Sequence, residues 1–268
     1  MKSAIPHLFK SAAVMIAATV PALASAQLTA NVALTSNYKF RGQDQDLLGQ
    51  SGLAKDGTFK PAIQGGFDFA FGESGFYVGN WNSSVRWLPG NSIEMDFYGG
   101  YKFSTQSLAW DIGGLTYQYP GNTRGNTTEL YGSVSHGNDT FGSLTFKYSH
   151  TVSQDYFNFA GTKAGSGRDG RNTAYFNLAY SRQVLPQVTA KAALGYTRMS
   201  GDIRSLGYPS FADYHVGAAY DFGSGLSLAG AVQGANRSSA YATPSEAGGG
   251  QTFSPNKARF ILTLTKSM

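Results

Sequence analysis

The sequence predicts an all-β protein, a transmembrane antiparallel up-and-down β-barrel of about twelve strands. Three observations carry that reading. Apolar residues recur at i and i+2 along most of the chain, and hardly anywhere at i, i+3 and i+4. The breaks between these alternating segments are short and long by turns. Aromatic residues gather near the segment ends, and only 14% of the 268 residues are charged, against about 25% in an ordinary soluble domain.

Residues 1–26 read as an export signal that is cleaved. Lys2 and Lys10 make the start positive, "SAAVMIAATVPAL" is the apolar stretch, and Ala24-Ser25-Ala26 supplies the small residues of a cleavage site before Gln27. The expected barrel is therefore residues 27–268. The apolar run is shorter than the roughly 20 residues a membrane-spanning helix needs, and mean hydropathy is −0.23, so a helical membrane bundle is excluded. Losing Lys2 and Lys10 takes the 21 basic residues to 19 against 16 acidic ones, a net charge of +3. These charges are scattered, with no basic stripe of the kind that binds nucleic acid. Without cysteine there is no acceptor for a bacterial lipid anchor and no disulfide framework.

Side chains on a strand point alternately to opposite faces. "LTANVALTSNYKFR" puts Leu28, Ala30, Val32, Leu34, Tyr38 and Phe40 on one side, and Thr29, Asn31, Thr35, Asn37, Lys39 and Arg41 on the other. "PAIQGGFDFAF" sets Ile63, Phe67, Phe69 and Phe71 against Gln64 and Asp68. "SIEMDFYGGYKF" sets Ile93, Met95, Phe97, Tyr101 and Phe103 against Glu94, Asp96 and Lys102. The rhythm returns in "FYVGNWNSSVRW", "LAWDIGGLTYQY", "TELYGSVSH", "FGSLTFKYSH", "NTAYFNLAYSRQ", "VTAKAALGYTRM", "ADYHVGAAYDF", "LSLAGAVQGAN" and "KARFILTLTK". Each segment is close to the roughly 9–11 residues that cross a bilayer at a tilt. Near Leu115 and Lys147 the alternation is imperfect.

In a soluble sandwich the apolar face would turn to a core; in a membrane barrel it turns to lipid and the polar face lines the interior. Connection length decides between them. Tight turns at 72–75, 104–107, 137–140, 185–188 and 223–225 alternate with longer connections at 42–60, 120–126, 151–171, 200–210 and 237–256, and only 88–91 is short on that side. Short turns at one rim and long loops at the other belong to transmembrane barrels, and an even strand count brings both chain ends to the short-turn rim. Tyr38, Phe40, Phe71, Trp87, Phe103, Trp110, Tyr148 and Phe222 then fall where interfacial girdles belong. Closure also leaves no unpaired strand edge in hydrocarbon.

The polar face supplies the candidate pore lining: Lys39, Arg41, Asp68, Arg86, Glu94, Asp96, Lys102, Asp111, Glu129, Lys147, Lys191 and Asp213. Charges on facing walls set the field that an ion crosses, and their near balance of sign points to neither anion nor cation preference. The expected function is passive diffusion of small hydrophilic solutes or ions. A closed barrel working as an adhesin or structural protein through its long loops is the alternative. Twelve strands fall between filled eight-stranded barrels and wide channels of about 16–18, and loops 42–60 and 151–171 are long enough to fold inward.

No enzyme is expected. A serine two residues from a histidine would be the compact barrel nucleophile, but His136, His150 and His215 are followed at that spacing by Asn138, Val152 and Gly217. "GSGRDG" at 165–170 matches G-x-G-x-x-G, yet it lies in a long loop leading into a strand rather than between strand and helix. Asp44 and Asp46 in "GQDQDLLGQ" complete no calcium loop. Neither a metal nor a cofactor is expected.

The stretches "NYKFRGQDQ", "PAIQGGFDF", "GFYVGNW" followed by "SSV", "EMDFYGGYKF", "DIGGLTYQYPG" and "TELYGSVSHG" stand in an order and spacing that resembles the TorF family of porins of Gram-negative bacteria. The likeness is close from Asn37 to Gly137 and rests on strand rhythm beyond. It implies an outer-membrane barrel that passes small solutes. The matching positions, Tyr38, Arg41, Gly42, Gln45, Pro61, Gln64, Gly65, Tyr77, Gly79 and Trp81, mark membership and carry no assigned role. Two features differ from the family pattern: segment 45–61 is longer, and the last strand ends Thr265-Lys266-Ser267-Met268 rather than on an aromatic residue. The expected partners are outer-membrane lipid and lipopolysaccharide, the barrel-assembly machinery during insertion, and small solutes.

Overall fold

Twelve antiparallel strands close into a barrel: β1 (Gln27–Thr35), β2 (Ala62–Ala70), β3 (Phe76–Ser84), β4 (Ile93–Thr105), β5 (Leu108–Gln118), β6 (Thr127–Asn138), β7 (Gly142–Thr151), β8 (Ala174–Leu185), β9 (Val188–Arg198), β10 (Phe211–Gly223), β11 (Leu226–Ala235) and β12 (Arg259–Ser267). The structure, a computed structural model, describes residues 27–57 and 59–268; the export signal expected at 1–26 lies outside them. Each strand pairs with its neighbours in sequence, and β1 meets β12 with Asn31 opposite Ser267 and Thr35 opposite Thr263. The hydroxyls of Thr35 and Thr263 lie 2.9 Å apart across this seam. Closure pairs both edges of the sheet, which an apolar surrounding demands.

The connections fall into the two expected classes. Turns 71–75, 106–107, 139–141, 186–187 and 224–225 form one rim, and 36–61, 85–92, 119–126, 152–173, 199–210 and 236–258 form the other. Leu28, Val32, Ile63, Phe97, Leu194 and Phe260 are all exposed on the outer face, the apolar band of a transmembrane barrel. Phe71 and Phe222 are exposed near the short-turn rim, where the Phe103 and Trp110 rings stack at 6.1 Å. Tyr148 packs against Phe176 with ring centroids 5.1 Å apart.

Tyr38, Phe40 and Trp87 correct the girdle expectation. The β1 ladder ends at Thr35, and the chain then turns into the lumen rather than continuing its alternation along the wall. Lys39–Phe40 pairs with Gln43–Asp44, and the two residues between them, Arg41 (φ 47°) and Gly42 (φ 75°), are both left-handed, as a type I′ hairpin turn requires. Glycine is needed at the tip for a second reason. A Cβ on Gly42 would stand 2.5 Å from the Gly234 carbonyl oxygen and 2.8 Å from Asp213 Cβ, so the hairpin tip packs directly against the wall at β10 and β11. Loop residues Tyr156, Phe157, Met199, Ile203 and Tyr241 join Phe211 in a buried cluster with Phe40 packed against it. Trp87 packs edge-on to Tyr119 at 5.1 Å and borders a second cluster of Leu47, Ala54 and Phe253. Both long loops that the sequence flagged therefore fold inward.

The two halves of the wall differ. Gly100 and Gly113 are opposite one another in register; a Cβ on Gly100 would meet the Tyr77 hydroxyl at 2.8 Å, and one on Gly113 the Tyr131 hydroxyl at 2.5 Å. Gly79 lies beneath the Tyr98 ring in the same way. Tyrosines thus lie flat over glycines and fill the side built by β3–β6. On the other side β8, β9, β11 and β1 present Ala179, Ala193, Ala229, Ala231 and Ala33 to the interior. Free space consequently runs along the small-residue wall. Gly113→Ala is expected to press its Cβ against the Gly99 carbonyl oxygen and the Tyr131 hydroxyl and cost about 1–3 kcal/mol, the usual penalty of overpacking, read as a lower urea midpoint of the folded barrel.

Candidate functional site

The hairpin is held by charge as well as packing. Lys39 Nζ lies 2.9 Å from Asp44, both side chains fully buried, and donates to the carbonyls of Pro255 at 2.7 Å and Gly42 at 3.0 Å. Arg259 of β12 stands 3.6 Å from the same carboxylate. Burial pushes the Lys39 ammonium down to about 8, against the opposing pull of Asp44. At the tip, Arg41 meets Glu129 of β6 at 2.6 Å, and its guanidinium sits over the rings of Tyr175 at 4.3 Å and Phe40 at 4.8 Å. Tyr117 donates a further hydrogen bond to Glu129 at 3.3 Å.

Most of the other expected lining charges point inward but are covered. Glu94 accepts from the hydroxyls of Tyr38 at 2.9 Å and Tyr119 at 2.7 Å. Asp68, Asp111 and Asp213 each accept a tyrosine hydroxyl, from Tyr98 at 2.7 Å, Tyr77 at 2.7 Å and Tyr175 at 3.1 Å. Tyr77 also shares a hydroxyl contact with Tyr131. The ammonium of Lys102 stands over the Tyr77 ring at 4.4 Å, and that of Lys147 over Tyr131 at 4.3 Å. Arg86 is the exception in position. It is exposed in the connection 85–92, where its backbone pairs with Gln45, Leu47 and Leu48, so it does not line the lumen. Lys39 and Arg41 are likewise hairpin anchors rather than wall charges. Strand period assigns a side chain to a face; it does not say which tyrosine crosses the lumen to cover it.

Two cavities lie on either side of the hairpin. Below it is a cavity of about 300 Å³, lined by Asn31, Asn37, Trp81, Asp96, Lys191 and His215 among others. Above it is one of about 200 Å³, lined by Trp87, Phe159, Tyr208 and Tyr241 among others. Phe40 lines both and forms the partition. Asp96 and Lys191 are the wall charges of the expected set that reach the lower cavity. Sequence reasoning missed Asn37, Trp81 and His215 as site residues. Trp81 was visible only as a motif position, Asn37 only as one more residue on the polar face of the first segment, and His215 only as a histidine without a serine.

The sequence model of a family described as "Bacterial protein of unknown function (Gcw_chp)" matches residues 20–268. This chain belongs to the Gcw_chp family. The family shown is Gcw_chp, and the TorF resemblance reaches no further than a porin-like barrel. Solved barrels share the fold of this Gcw_chp member. The KdgM porin in complex with disordered oligogalacturonate aligns with a TM-score of 0.55 at 10% identity, covering 90% of this chain and 99% of that one. The NanC porin aligns at 0.54 with 11% identity, covering 89% and 98%. At such identities the likeness is one of fold, which does not by itself carry function. No curated protein matches the chain.

Proposed function

We propose that this Gcw_chp barrel is a channel in the outer membrane of a Gram-negative bacterium, exported by its first 26 residues, that passes small hydrophilic solutes without covalent chemistry. The observation that carries the reading is the cavity of about 300 Å³ inside a closed barrel, running along the alanine-rich wall and edged by Asn31, Asn37, Asp96, Lys191 and His215. The porin fold of KdgM and NanC supports it, as does the TorF resemblance. The KdgM complex with oligogalacturonate supports a carbohydrate-sized solute. A solute entering from the loop rim meets the upper cavity, then the hairpin at Phe40, then the lower cavity and the short-turn rim. The hairpin is the constriction, and Arg41–Glu129 with Lys39–Asp44 set how firmly it stays in place.

The test is single-channel current from the folded protein in a planar bilayer under a salt gradient. Discrete conductance steps are expected. Lys191→Glu, which adds negative charge beside the lower cavity, should move the reversal potential toward cation preference. A folded barrel that stays silent would overturn the channel reading in favour of a surface adhesin. The inward packing of loops 36–61 and 152–173 leaves less of them for surface contacts, which favours the channel.

A further inference from the structure

The cavity below the hairpin gathers six of the buried polar side-chain atoms that the fold leaves without a hydrogen-bond partner. Asn37 Nδ2 and Oδ1, Trp81 Nε1, Asp96 Oδ1, Asn31 Oδ1 and His215 Nδ1 are all buried and make no hydrogen bond, and all five residues line this one space. Asn37 is 1% exposed, Asp96 2% and Trp81 5%. They come from β1, the root of the hairpin, β3, β4 and β10, so five separate parts of the chain converge. Neighbouring groups show the contrast: Glu94, two residues from Asp96, is satisfied by two tyrosine hydroxyls. A buried polar group without a partner costs about 1–3 kcal/mol, and six such atoms around one cavity call for a common ligand.

Their chemistry defines it. Asp96, Asn31 and the Asn37 oxygen accept, whereas Trp81 and the Asn37 nitrogen donate. A cation answers only the acceptors. An anion answers only the donors and stands against the Asp96 carboxylate, which forms no ion pair among the described residues. Lys39 is held by Asp44 and two carbonyls and Arg41 by Glu129, and Lys191 shares the lining with Asp96, one charge of each sign, so the cavity presents no net charge that would select an ion of either kind. A hydroxyl both donates and accepts, so adjacent hydroxyls on one ring satisfy both kinds of group. Tyr38 and Trp81, edge-on at 5.4 Å, give that ring aromatic surface to lie against. We propose that the lower cavity is a binding site for a neutral polyhydroxylated solute, a sugar of one or two rings, rather than for the acidic chains found with KdgM. This rests on the channel reading for its biological sense but not for its test.

Calorimetric titration of the purified, folded protein with glucose, maltose, galacturonate and glucosamine, alongside conductance in the same sugars, decides it. Glucose or maltose is expected to bind, with galacturonate about tenfold weaker or worse. Asn37→Leu should weaken sugar binding about tenfold while leaving the unfolding midpoint unchanged or raised, since it replaces an unpartnered buried amide with an apolar group of similar size. Asp96→Asn keeps the shape and should narrow the discrimination against galacturonate. Galacturonate or glucosamine binding as tightly as glucose, or sugar binding untouched by both substitutions, overturns the proposal. Conductance without sugar binding overturns it and leaves the channel standing; sugar binding in a silent barrel supports it and overturns the channel.

Discussion

Arg41→Met is expected to raise single-channel conductance. The substitution keeps the length of the side chain and removes its charge, which leaves the Glu129 carboxylate, 1% exposed, with only the Tyr117 hydroxyl at 3.3 Å. Removing one partner of a buried ion pair costs about 3–5 kcal/mol, because the other charge stays desolvated. The twelve ladders of the wall do not depend on Arg41; the hairpin does. The loss therefore falls on the seated hairpin, which leaves its place across the lumen and joins the two cavities that Phe40 divides. Arg41→Met/Glu129→Leu should restore most of the parent behaviour, since apolar groups of similar volume replace a buried pair at little cost or with a gain. A single variant that conducts and unfolds like the parent would show that the hairpin does not constrict the pore.

Phe97→Arg is expected to cost about 2–4 kcal/mol when the barrel is unfolded from a bilayer, the penalty of a cation on the lipid face near mid-depth. Phe97 is in the middle of the β4 face that points outward and is 45% exposed, whereas its neighbour Asp96 points into the lumen. Asp96→Asn, one residue away on the other face, should leave this stability unchanged or raised, because it removes an unpaired buried carboxylate and puts no charge against lipid. Equal stability of Phe97→Arg and parent in the bilayer would place something other than lipid against that face. The pair of variants tests the choice of faces without reference to conductance.

Period-2 alternation is a local property, and it was sufficient for the barrel. It placed Ile93, Met95 and Phe97 outside and Glu94, Asp96 and Lys102 inside, and the spacing of glycine-rich breaks assigned each connection to its rim. Phe103 and Trp110 could be recognised as girdle residues because both stand in regular strand beside a two-residue turn. Tyr38 and Phe40 could not be placed, because the same alternation continues beyond Thr35 while the backbone leaves the sheet. Arg41-Gly42 is the one local sign of a hairpin there, and nothing in its neighbourhood says that the hairpin points inward.

The sequence by itself determined the closed barrel, its inner and outer faces and the inequality of its rims, because these follow from strand geometry and turn length within a few residues. Only the tertiary structure decided that the lumen is divided, which charges are spent on holding it so, and where unpartnered polar groups meet. Arg41 finds Glu129 across 88 positions of sequence and Lys39 finds Pro255 across 216. Contacts of that separation depend on which strands face one another once the sheet has closed, and closure is a property of the whole chain.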